Sequence, residues 1–368
     1  MTTWAGTAAG GRGDRVDAVV LVGGMGTRLR PLTLSAPKPM LPTAGVPLLT
    51  HLLSRLKEAG ITHVVLGTSY RAEVFAEYFG DGADLGLELE YVVETEPLGT
   101  GGAIRNVADR LRGDTTLVFN GDVIAGVDLN ELLDCHDKAE ADVSLYLTRV
   151  ADPRAFGCVP TDESGQVLAF LEKDPYPRSD QINAGAYVFR REVLESIPTG
   201  RPVSVERETF PGLLAGGGRL IGYISDAYWR DLGTPSDFVE GSADLVRGLA
   251  PTCALPGPAG EALLLAGAEI AADAVVTGGS TVGAGCVVES GAVVDGAVLF
   301  DGARIGAGAQ VRRSVVGFDA RVGPGAVLAD AIVGDRAVLG ARIELLHGAR
   351  VWPDAELADG SVRFSADA

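Results

Sequence analysis

Short apolar runs alternate with stretches of helical periodicity over residues 17–248. The first run covers residues 18–22, and similar runs follow at 61–68 and 115–120. This alternation predicts an α/β domain with a mostly parallel sheet and helices on its faces. Residues 1–16 have no such pattern and are predicted to be a disordered lead-in.

Beyond residue 261 the apolar positions change to a period of six, with occasional steps of five. The aliphatic series is Ile270, Val276, Val282, Val288, Val294, Ile305, Val311, Val316, Val322, Leu328, Val333, Leu339, Leu345, Val351 and Leu357. Small residues follow many of these four positions later: Ala274, Ser280, Cys286, Ala292, Ala309, Ala320, Ala326 and Ala337. Repeated hexapeptides of this kind predict a parallel β-helix of about five coils over residues 262–362. The Pro/Gly-rich residues 249–261 are predicted to be a linker between the two domains.

Composition and charge exclude several classes of partner. The chain has 368 residues, a net charge of −18 and 50 glycines, many of which suit the tight corners of the β-helix. A strongly acidic protein does not favour nucleic acid or an anionic membrane as a partner. No stretch of apolar residues is long enough to cross a membrane, and the first residues lack an apolar run of useful length, so we expect neither a membrane span nor a secretory leader. The four cysteines form no C-x-x-C pair, which favours reduced thiols, a cytoplasmic location and no structural zinc.

The string GGMGTRLRPLTLSAPKPM directly follows the first apolar run. Its glycines allow backbone N–H groups to surround phosphate oxygens. Arg28 offers a planar fork and Lys38 a point charge, both suited to a polyphosphate. The string is not a P-loop, since no Gly-Lys-Ser/Thr follows, and Leu29 stands where a dinucleotide fingerprint needs glycine. It therefore predicts a nucleoside triphosphate site.

The same string resembles the signature of the sugar-phosphate nucleotidyltransferases, GGxGTRLRPLT followed by PKP. Further segments extend the resemblance: ETEPLGTGGA (94–103), VFNGDV (118–123), LEKD (171–174), INAGAYVF (182–189) and YWRDLGTP (228–235). The resemblance covers essentially the whole chain. It implies a Rossmann-like nucleotidyltransferase domain over 17–248 and a left-handed β-helix over 262–362. The implied reaction joins a hexose 1-phosphate to the α-phosphorus of a nucleoside triphosphate and releases pyrophosphate.

Residue by residue, the resemblance implies a nucleotide site. Its members are Gly23, Gly24, Met25, Gly26, Thr27, Arg28, Lys38, Glu94, Leu98, Gly99, Thr100, Asn120, Gly121 and Asp122. Asp122 and Asp231 are implied to hold Mg²⁺, a hard cation that prefers carboxylate oxygens.

The resemblance also implies a sugar-phosphate site and a catalytic set. The sugar-phosphate residues are Gly157, Glu172, Lys173, Asn183, Gly185 and Asp231, with Glu206 within reach of the sugar. The catalytic residues are Arg28, Lys38, Asp122, Lys173 and Asp231. The four histidines form no cluster, and none is needed as a base because a phosphate monoester is already ionised near pH 7, its second pKa being about 6.

Several alternatives stay open from the sequence. EPLGTGG most resembles the EPLGTAG segment of the family members that transfer a guanylyl group to mannose 1-phosphate, which favours GTP. Gly101 replaces the usual alanine there, which leaves the base open. The alternative is the same reaction with glucose 1-phosphate or a cyclitol phosphate and dTTP, UTP or ATP. Two other classes are a β-helix acyltransferase, for which His347 is the one histidine in the repeat, and a non-catalytic regulatory subunit. The β-helix also predicts a homo-oligomer.

Overall fold

The fold is described from a computed structural model, which describes residues 15–172 and 176–363. The predicted lead-in therefore lies almost wholly outside the described residues. The chain forms two compact units. The first takes residues 15–24, 53–121 and 127–227, and the second takes 25–52, 122–126 and 228–363.

The strands before residue 250 are β1 (Val16–Leu21), β2 (Pro42–Thr43), β3 (Val46–Pro47), β4 (His63–Thr68), β5 (Glu88–Val93), β6 (Thr115–Asn120), β7 (Val123–Ala125), β8 (Val143–Arg149), β9 (Gly157–Cys158), β10 (Leu171–Glu172), β11 (Gln181–Arg190), β12 (Leu220–Ile224) and β13 (Trp229–Asp231). The helices are α1 (Leu48–Glu58), α2 (Glu73–Phe79), α3 (Gly99–Asn106), α4 (Leu129–Lys138), α5 (Arg191–Ser196), α6 (Phe210–Ala215) and α7 (Pro235–Arg247). Short 3₁₀ turns lie at Thr27–Leu29, Leu32–Leu34, Lys38–Met40, Ala83–Leu85, Ala108–Arg110 and Pro153–Ala155, and a π-helical turn lies at Val205–Thr209. Among the residues described, none of the helices has both the length and the apolar character needed to cross a bilayer.

The first unit is built on a nine-stranded mixed sheet. Its strands run in the order β10-β9-β11-β6-β1-β4-β5, and β8 pairs with β11 and with β12. The neighbours β6, β1, β4 and β5 are all parallel, whereas β11 is antiparallel to β6, β8 and β9. Val19, Val65 and Val118 at the middle of three parallel strands are fully buried. This explains why these strands are continuously apolar in the sequence. The predicted α/β fold is confirmed.

The β-helix begins at residue 262 and forms three parallel sheets. Its strands are β14 (Ala262–Leu264), β15 (Glu269–Ile270), β16 (Val275–Thr277), β17 (Ser280–Val282), β18 (Val287–Val288), β19 (Val293–Asp295), β20 (Val298–Leu299), β21 (Arg304–Ile305), β22 (Gln310–Arg312), β23 (Val315–Val316), β24 (Arg321–Val322), β25 (Val327–Ala329), β26 (Ile332–Val333), β27 (Val338–Leu339), β28 (Glu344–Leu345), β29 (Arg350–Val351) and β30 (Glu356–Leu357). The sheets hold six, six and five strands, which makes five complete coils and a sixth of two strands.

The predicted aliphatic series forms the interior of the β-helix. All of its members belong to one core cluster or pack against it. Leu299 was not part of the predicted series. It lies five residues after Val294, where the first step of five falls, and it is almost completely buried. The hexapeptide prediction is therefore confirmed, while the left hand of the helix stays an expectation from the resemblance.

One outer face of the β-helix is also buried. The outward positions of the sheet that begins with β14 are Leu263, Thr281, Val298, Val315, Ile332 and Arg350. The apolar members of this column share a core cluster with residues of the 25–52 segment, Leu29, Leu32, Leu41, Ala44 and Leu48. At the bottom of the column the Arg350 guanidinium donates to the Arg30 carbonyl oxygen at 2.7 Å. The β-helix thus supports the segment that carries the glycine-rich string.

A buried histidine links the N-terminal halves of β1, β4 and β5. His63 Nδ1 lies 2.7 Å from Asp17 Oδ1, and its Nε2 lies 3.1 Å from Glu90 Oε1. The other Asp17 oxygen accepts from the backbone N–H groups of Arg112 and Gly113. The hydrogen bond to Asp17 raises the pKa of His63, burial opposes this, and Glu90 adds to the rise, while the guanidinium of Arg112 acts against it.

We expect this histidine to make stability depend on pH. Because the folded-state pKa lies above the unfolded value of about 6.5, the stabilisation is complete below pH 6.5. It is lost as pH rises through the folded-state pKa. His63→Gln should therefore lower the thermal midpoint most at acidic pH, with the difference from the wild type shrinking as pH rises. His347→Gln, at an exposed corner, is the control; a pH-independent His63→Gln difference would contradict the assignment.

Candidate functional site

A two-stranded ladder in the second unit brings two distant aspartates together. Strands β7 and β13 pair antiparallel, with Val123 opposite Asp231, and Leu232 N–H donates to the Asp122 carbonyl oxygen at 3.2 Å. Asp122 lies in the turn between β6 and β7, just past an apolar strand as the sequence predicted. The ladder explains why two carboxylates from separate segments can face one position.

Lys38 lies between the two carboxylates. Its ammonium donates to Asp122 Oδ2 at 2.9 Å and to Asp231 Oδ1 at 3.4 Å. Only 6% of the Lys38 side chain is exposed. Burial raises the pKa of the Asp231 carboxyl and the charge of Asp122 adds to this, whereas Lys38 and Arg28 act in the opposite direction. The four residues form a compact group of two cations and two anions.

The glycine-rich string places Arg28 beside this group. Gly26 takes a left-handed conformation with φ of 57°, and its carbonyl oxygen accepts from Thr33 Oγ1 at 2.9 Å. Thr27–Leu29 then form a 3₁₀ turn with an exposed Arg28. The Arg28 guanidinium lies so close to Gly233 that a Cβ there would stand 2.7 Å from Nη2. Gly233 is thus a site residue that the sequence reasoning missed, and its flanking position after Asp231 was the available signal. Met25, which follows the first two glycines, is more than half exposed.

The remaining predicted nucleotide residues lie in the first unit, at the ends of strands and at the start of α3. The Gly23 carbonyl oxygen accepts a hydrogen bond from Ser69 Oγ at 2.6 Å. A Cβ added to Gly24 would meet no atom within 4 Å. An added Cβ at Gly121 would stand 2.6 Å from Val22 Cγ1, so glycine is needed for close packing on β1. Gly185, with φ of 79°, lies against Asn120 at a bulge in β11.

The N-terminus of α3 is occupied by the chain itself. Gly101 N–H donates to the Val203 carbonyl oxygen at 2.8 Å and Gly102 N–H to the same oxygen at 3.3 Å. Gly99 has a φ of 69°, and a Cβ added to this residue would stand 2.6 Å from that carbonyl oxygen. The resemblance implies that Leu98, Gly99 and Thr100 at this helix end belong to the nucleotide site, but the next two N–H groups are already used within the chain. Before the helix, burial raises the pKa of Glu94, and a long hydrogen bond of 3.4 Å from Leu98 N–H opposes this.

A cavity of about 400 Å³ lies in the first unit. Its lining includes four residues from the predicted set, Thr100, Gly157, Asn183 and Glu206. It also includes Phe156, Phe170, Ser204 and Arg207, which the sequence reasoning did not assign. The aromatic rings give the cavity apolar walls, and the polar groups converge on one side. Such a mixture is typical of small-molecule sites.

The polar side of this cavity is a connected hydrogen-bond network. Asn183 Nδ2 donates to Tyr187 Oη at 2.7 Å, and that hydroxyl is 3.5 Å from Glu206 Oε1. Thr100 Oγ1 and Ser204 Oγ both donate to Glu206 Oε2, at 3.0 and 2.8 Å. A carboxylate has about four acceptor positions, so Glu206 keeps capacity for a ligand hydroxyl. Tyr187 was missed because its four-residue spacing from Asn183 reveals contact only once the β11 bulge is known.

Two predicted sugar-phosphate residues are not placed. Lys173 lies outside the described residues, and of Glu172 only the backbone is described, paired with Gly157 in the β10–β9 ladder. Of the candidate metal ligands, Asp122 and Asp231 have the chemistry for a divalent cation, since carboxylate oxygens are the preferred ligands of Mg²⁺. The ammonium between them shows that this position accepts a cation.

Family models match the two parts of the chain. The model described as "Nucleotidyl transferase" matches residues 17–248, which is more than half of the chain. The model described as "GMPPB C-terminal domain" matches residues 259–363.

Several known proteins are similar to this chain over all or part of its length. A mannose-1-phosphate guanylyltransferase of Mycobacterium tuberculosis is 62% identical over 354 residues, which are 96% of this chain and 99% of the relative. The mannose-1-phosphate guanylyltransferase 1 of Arabidopsis thaliana is 38% identical over 66% of this chain and 68% of its own. Among solved structures, HddC from Yersinia pseudotuberculosis complexed with GMP-PN is similar at a TM-score of 0.55 and 28% identity, covering 62% of this chain and 99% of that one.

We expect Gly233→Ala to weaken triphosphate binding without unfolding the chain. The new Cβ would displace the Arg28 guanidinium, which is the mobile end of an exposed side chain and can move at little cost to folding. Loss of a charged hydrogen bond worth about 1.5–3 kcal/mol corresponds to a roughly 10- to 100-fold weaker affinity. Calorimetric titration with a nucleoside triphosphate measures this. Gly212→Ala, where a Cβ meets no atom within 4 Å, is the matched control; equal affinities of the two variants would contradict the prediction.

Proposed function

The chain belongs to the nucleotidyl transferase family, and we propose that it transfers the guanylyl group of GTP to mannose 1-phosphate, forming GDP-mannose and releasing pyrophosphate. The strongest support is the relative of that activity, 62% identical over 96% of this chain. The cluster of Arg28, Lys38, Asp122 and Asp231 supports the reaction class, because it combines two phosphate-binding cations with two metal-binding carboxylates.

The reaction as proposed needs no protein base. A phosphate oxygen of mannose 1-phosphate forms a bond to the α-phosphorus of GTP, while the bond from that phosphorus to the bridging oxygen breaks and pyrophosphate leaves with the electron pair. The acceptor is ionised near neutral pH because its second pKa is about 6. The buried histidines have structural partners: His51 contacts Thr252 and the Thr43 carbonyl, and His136 contacts Ser144. Burial lowers the pKa of His51, and lowers that of His136 to about 4.

We assign the phosphate chemistry to the second unit. Arg28 would hold the triphosphate with its planar fork and Lys38 with its ammonium, as positioning and charge stabilisation dominate phosphoryl-type transfer. Asp122 and Asp231 would hold Mg²⁺. When bound there, the ion would neutralise negative charge on the phosphate oxygens.

We assign the sugar to the cavity of the first unit. Its volume of about 400 Å³ suits a single hexose. Asn183, Thr100 and Glu206 would exchange hydrogen bonds with sugar hydroxyls, and the rings of Phe156 and Phe170 would pack on the apolar faces of the sugar. The exposed cation Arg207 would attract the sugar phosphate, together with Lys173 as the resemblance implies.

The departure at Gly101 is compatible with a guanine site. A Cβ there would stand 2.9 Å from Val203 Cγ1, so glycine at this position matches the packing of Val203 against α3. We therefore propose that Gly101 compensates for Val203 and leaves the preference for GTP unchanged.

A turnover screen tests the substrates. We expect the purified chain to release pyrophosphate from GTP with mannose 1-phosphate at a kcat/KM at least about 100-fold above any combination of ATP, UTP or dTTP with glucose 1-phosphate, because a site that hydrogen-bonds its substrate rejects analogues strongly. Product identity by mass spectrometry is the control for contaminating phosphatase. Equal turnover of several bases would overturn the GTP assignment, and no pyrophosphate with any pair would overturn the activity.

We also propose a homo-oligomer assembled through the β-helix, in a reducing cytoplasm. The first and last coils have strand edges that can pair with another chain, and none of the four cysteines, all of them among the described residues, forms a disulfide. One chain has a mass of 38.0 kDa, and we expect light scattering of the purified protein to give two or more times this mass. A Val338→Lys substitution, at an exposed position on the side of the coils, should leave that mass unchanged. A monomer at micromolar concentration would contradict the proposal.

A further inference from the structure

We infer that Lys38 is a resident counter-ion that blocks the divalent-metal position in the free chain and is transferred to the triphosphate when nucleotide and metal bind together. The inference rests on the proposed function, since it takes the metal and the triphosphate as the ligands of this cluster. The inference adds a prediction to that function: the metal binds weakly on its own and tightly together with the nucleotide.

The geometry makes Lys38 and a metal ion mutually exclusive. The ammonium contacts Asp122 Oδ2 at 2.9 Å and Asp231 Oδ1 at 3.4 Å, one oxygen of each carboxylate. A Mg²⁺ ion sits about 2.0–2.1 Å from its ligand oxygens. An ion that bridged these two oxygens would therefore occupy the space of the ammonium, and the two cations would repel. Lys38 must leave before both carboxylates can bind one metal.

The charges of the cluster indicate whether the nucleotide strengthens or weakens metal binding. Two cations, Arg28 and Lys38, already neutralise the two aspartates, and Arg28 contributes to the charge around Asp231. A divalent ion added to this neutral group gains little net attraction. A triphosphate brings several negative charges that can accept both the displaced ammonium and the metal. Metal and nucleotide should therefore raise each other's affinity by the same factor, as linkage requires.

The chain around Lys38 allows only the side chain to move. Met40 N–H donates to the Pro37 carbonyl and Leu41 N–H to the Lys38 carbonyl, which closes the 3₁₀ turn. The Gly26 Cα approaches so closely that a Cβ there would stand 3.2 Å from Lys38 Cβ. The backbone and Cβ of Lys38 are thus fixed, while the rest of its flexible stem can carry the ammonium from one set of oxygens to another.

Titration with Mn²⁺, followed by the electron paramagnetic resonance of the free ion, tests the inference. Four chains are compared without nucleotide and with the non-hydrolysable guanosine 5′-(β,γ-imido)triphosphate: the wild type, Lys38→Met, Asp122→Asn and Lys57→Met. The exposed Lys57 contacts only the Gly86 carbonyl among the hydrogen bonds described, and its substitution changes the net charge by the same amount.

We expect Lys38→Met to bind Mn²⁺ without nucleotide about 10- to 100-fold more tightly than the wild type, the factor that a charged hydrogen bond of about 1.5–3 kcal/mol predicts. The nucleotide should then strengthen metal binding far less in Lys38→Met than in the wild type. Lys57→Met should match the wild type, and Asp122→Asn should bind Mn²⁺ more weakly in both conditions.

The outcomes separate this inference from the proposed function. Lys38→Met with unchanged or weaker Mn²⁺ affinity in the free state, while the wild type binds Mn²⁺ with nucleotide, would overturn the counter-ion role alone. A wild type that binds no Mn²⁺ even with nucleotide would overturn the metal assignment itself. If Lys38→Met unfolds by circular dichroism, Lys38→Arg replaces it. That variant keeps the positive charge, so its free-state affinity should stay as low as that of the wild type, and tighter binding would count against the inference.

Discussion

Repulsion between two carboxylates is the constraint on which the second unit depends. Asp122 and Asp231 face one position, so their charges must be balanced, and the chain as a whole carries a charge of −18 that cannot help. The balance comes from the buried ammonium of Lys38 and the nearby guanidinium of Arg28. Removing one partner of a buried charged group costs more than the pair itself contributes. The site residues are therefore coupled to one another before any ligand arrives.

The β-helix holds the backbone that makes this coupling possible. Val298, Val315 and Ile332 face outward from their coils, yet they are almost fully buried against the 25–52 segment. Each stands beside an inward residue, which gives the apolar pairs Val298-Leu299, Val315-Val316 and Ile332-Val333 at a spacing of 17 residues. In the sheet that begins with β15, the outward column is mostly charged: Glu269, Arg304, Arg321 and Glu356 stand there beside Val287 and Val338. One face is thus built for packing and this one mainly for solvent.

The features that could be predicted from the sequence are those whose residue pattern is typical of a single structure. Short apolar runs bounded by turn residues are typical of buried strands, and the six-residue period is typical of a β-helix coil. The sequence did not predict that β11 runs antiparallel beside β6, because strand direction depends on the path of a connection and not on local composition. It placed Lys38 with the triphosphate and the aspartates with a metal, but not Lys38 with the aspartates. Contacts between such distant residues need the β7–β13 ladder, which two short strands do not reveal.

Reaction class and substrate identity are encoded by different kinds of residue. Phosphate groups are common to all nucleoside triphosphates, and the residues that we propose bind them lie in one string of the sequence, from Gly23 to Lys38. We propose that the sugar is recognised by several weaker partners, Thr100, Asn183 and Glu206, of which Asn183 and Glu206 contact the buried Tyr187. Each of these depends on packing elsewhere, as Gly101 does on Val203. Their identity therefore varies with their neighbours, and a short string carries less information about the substrate than about the reaction.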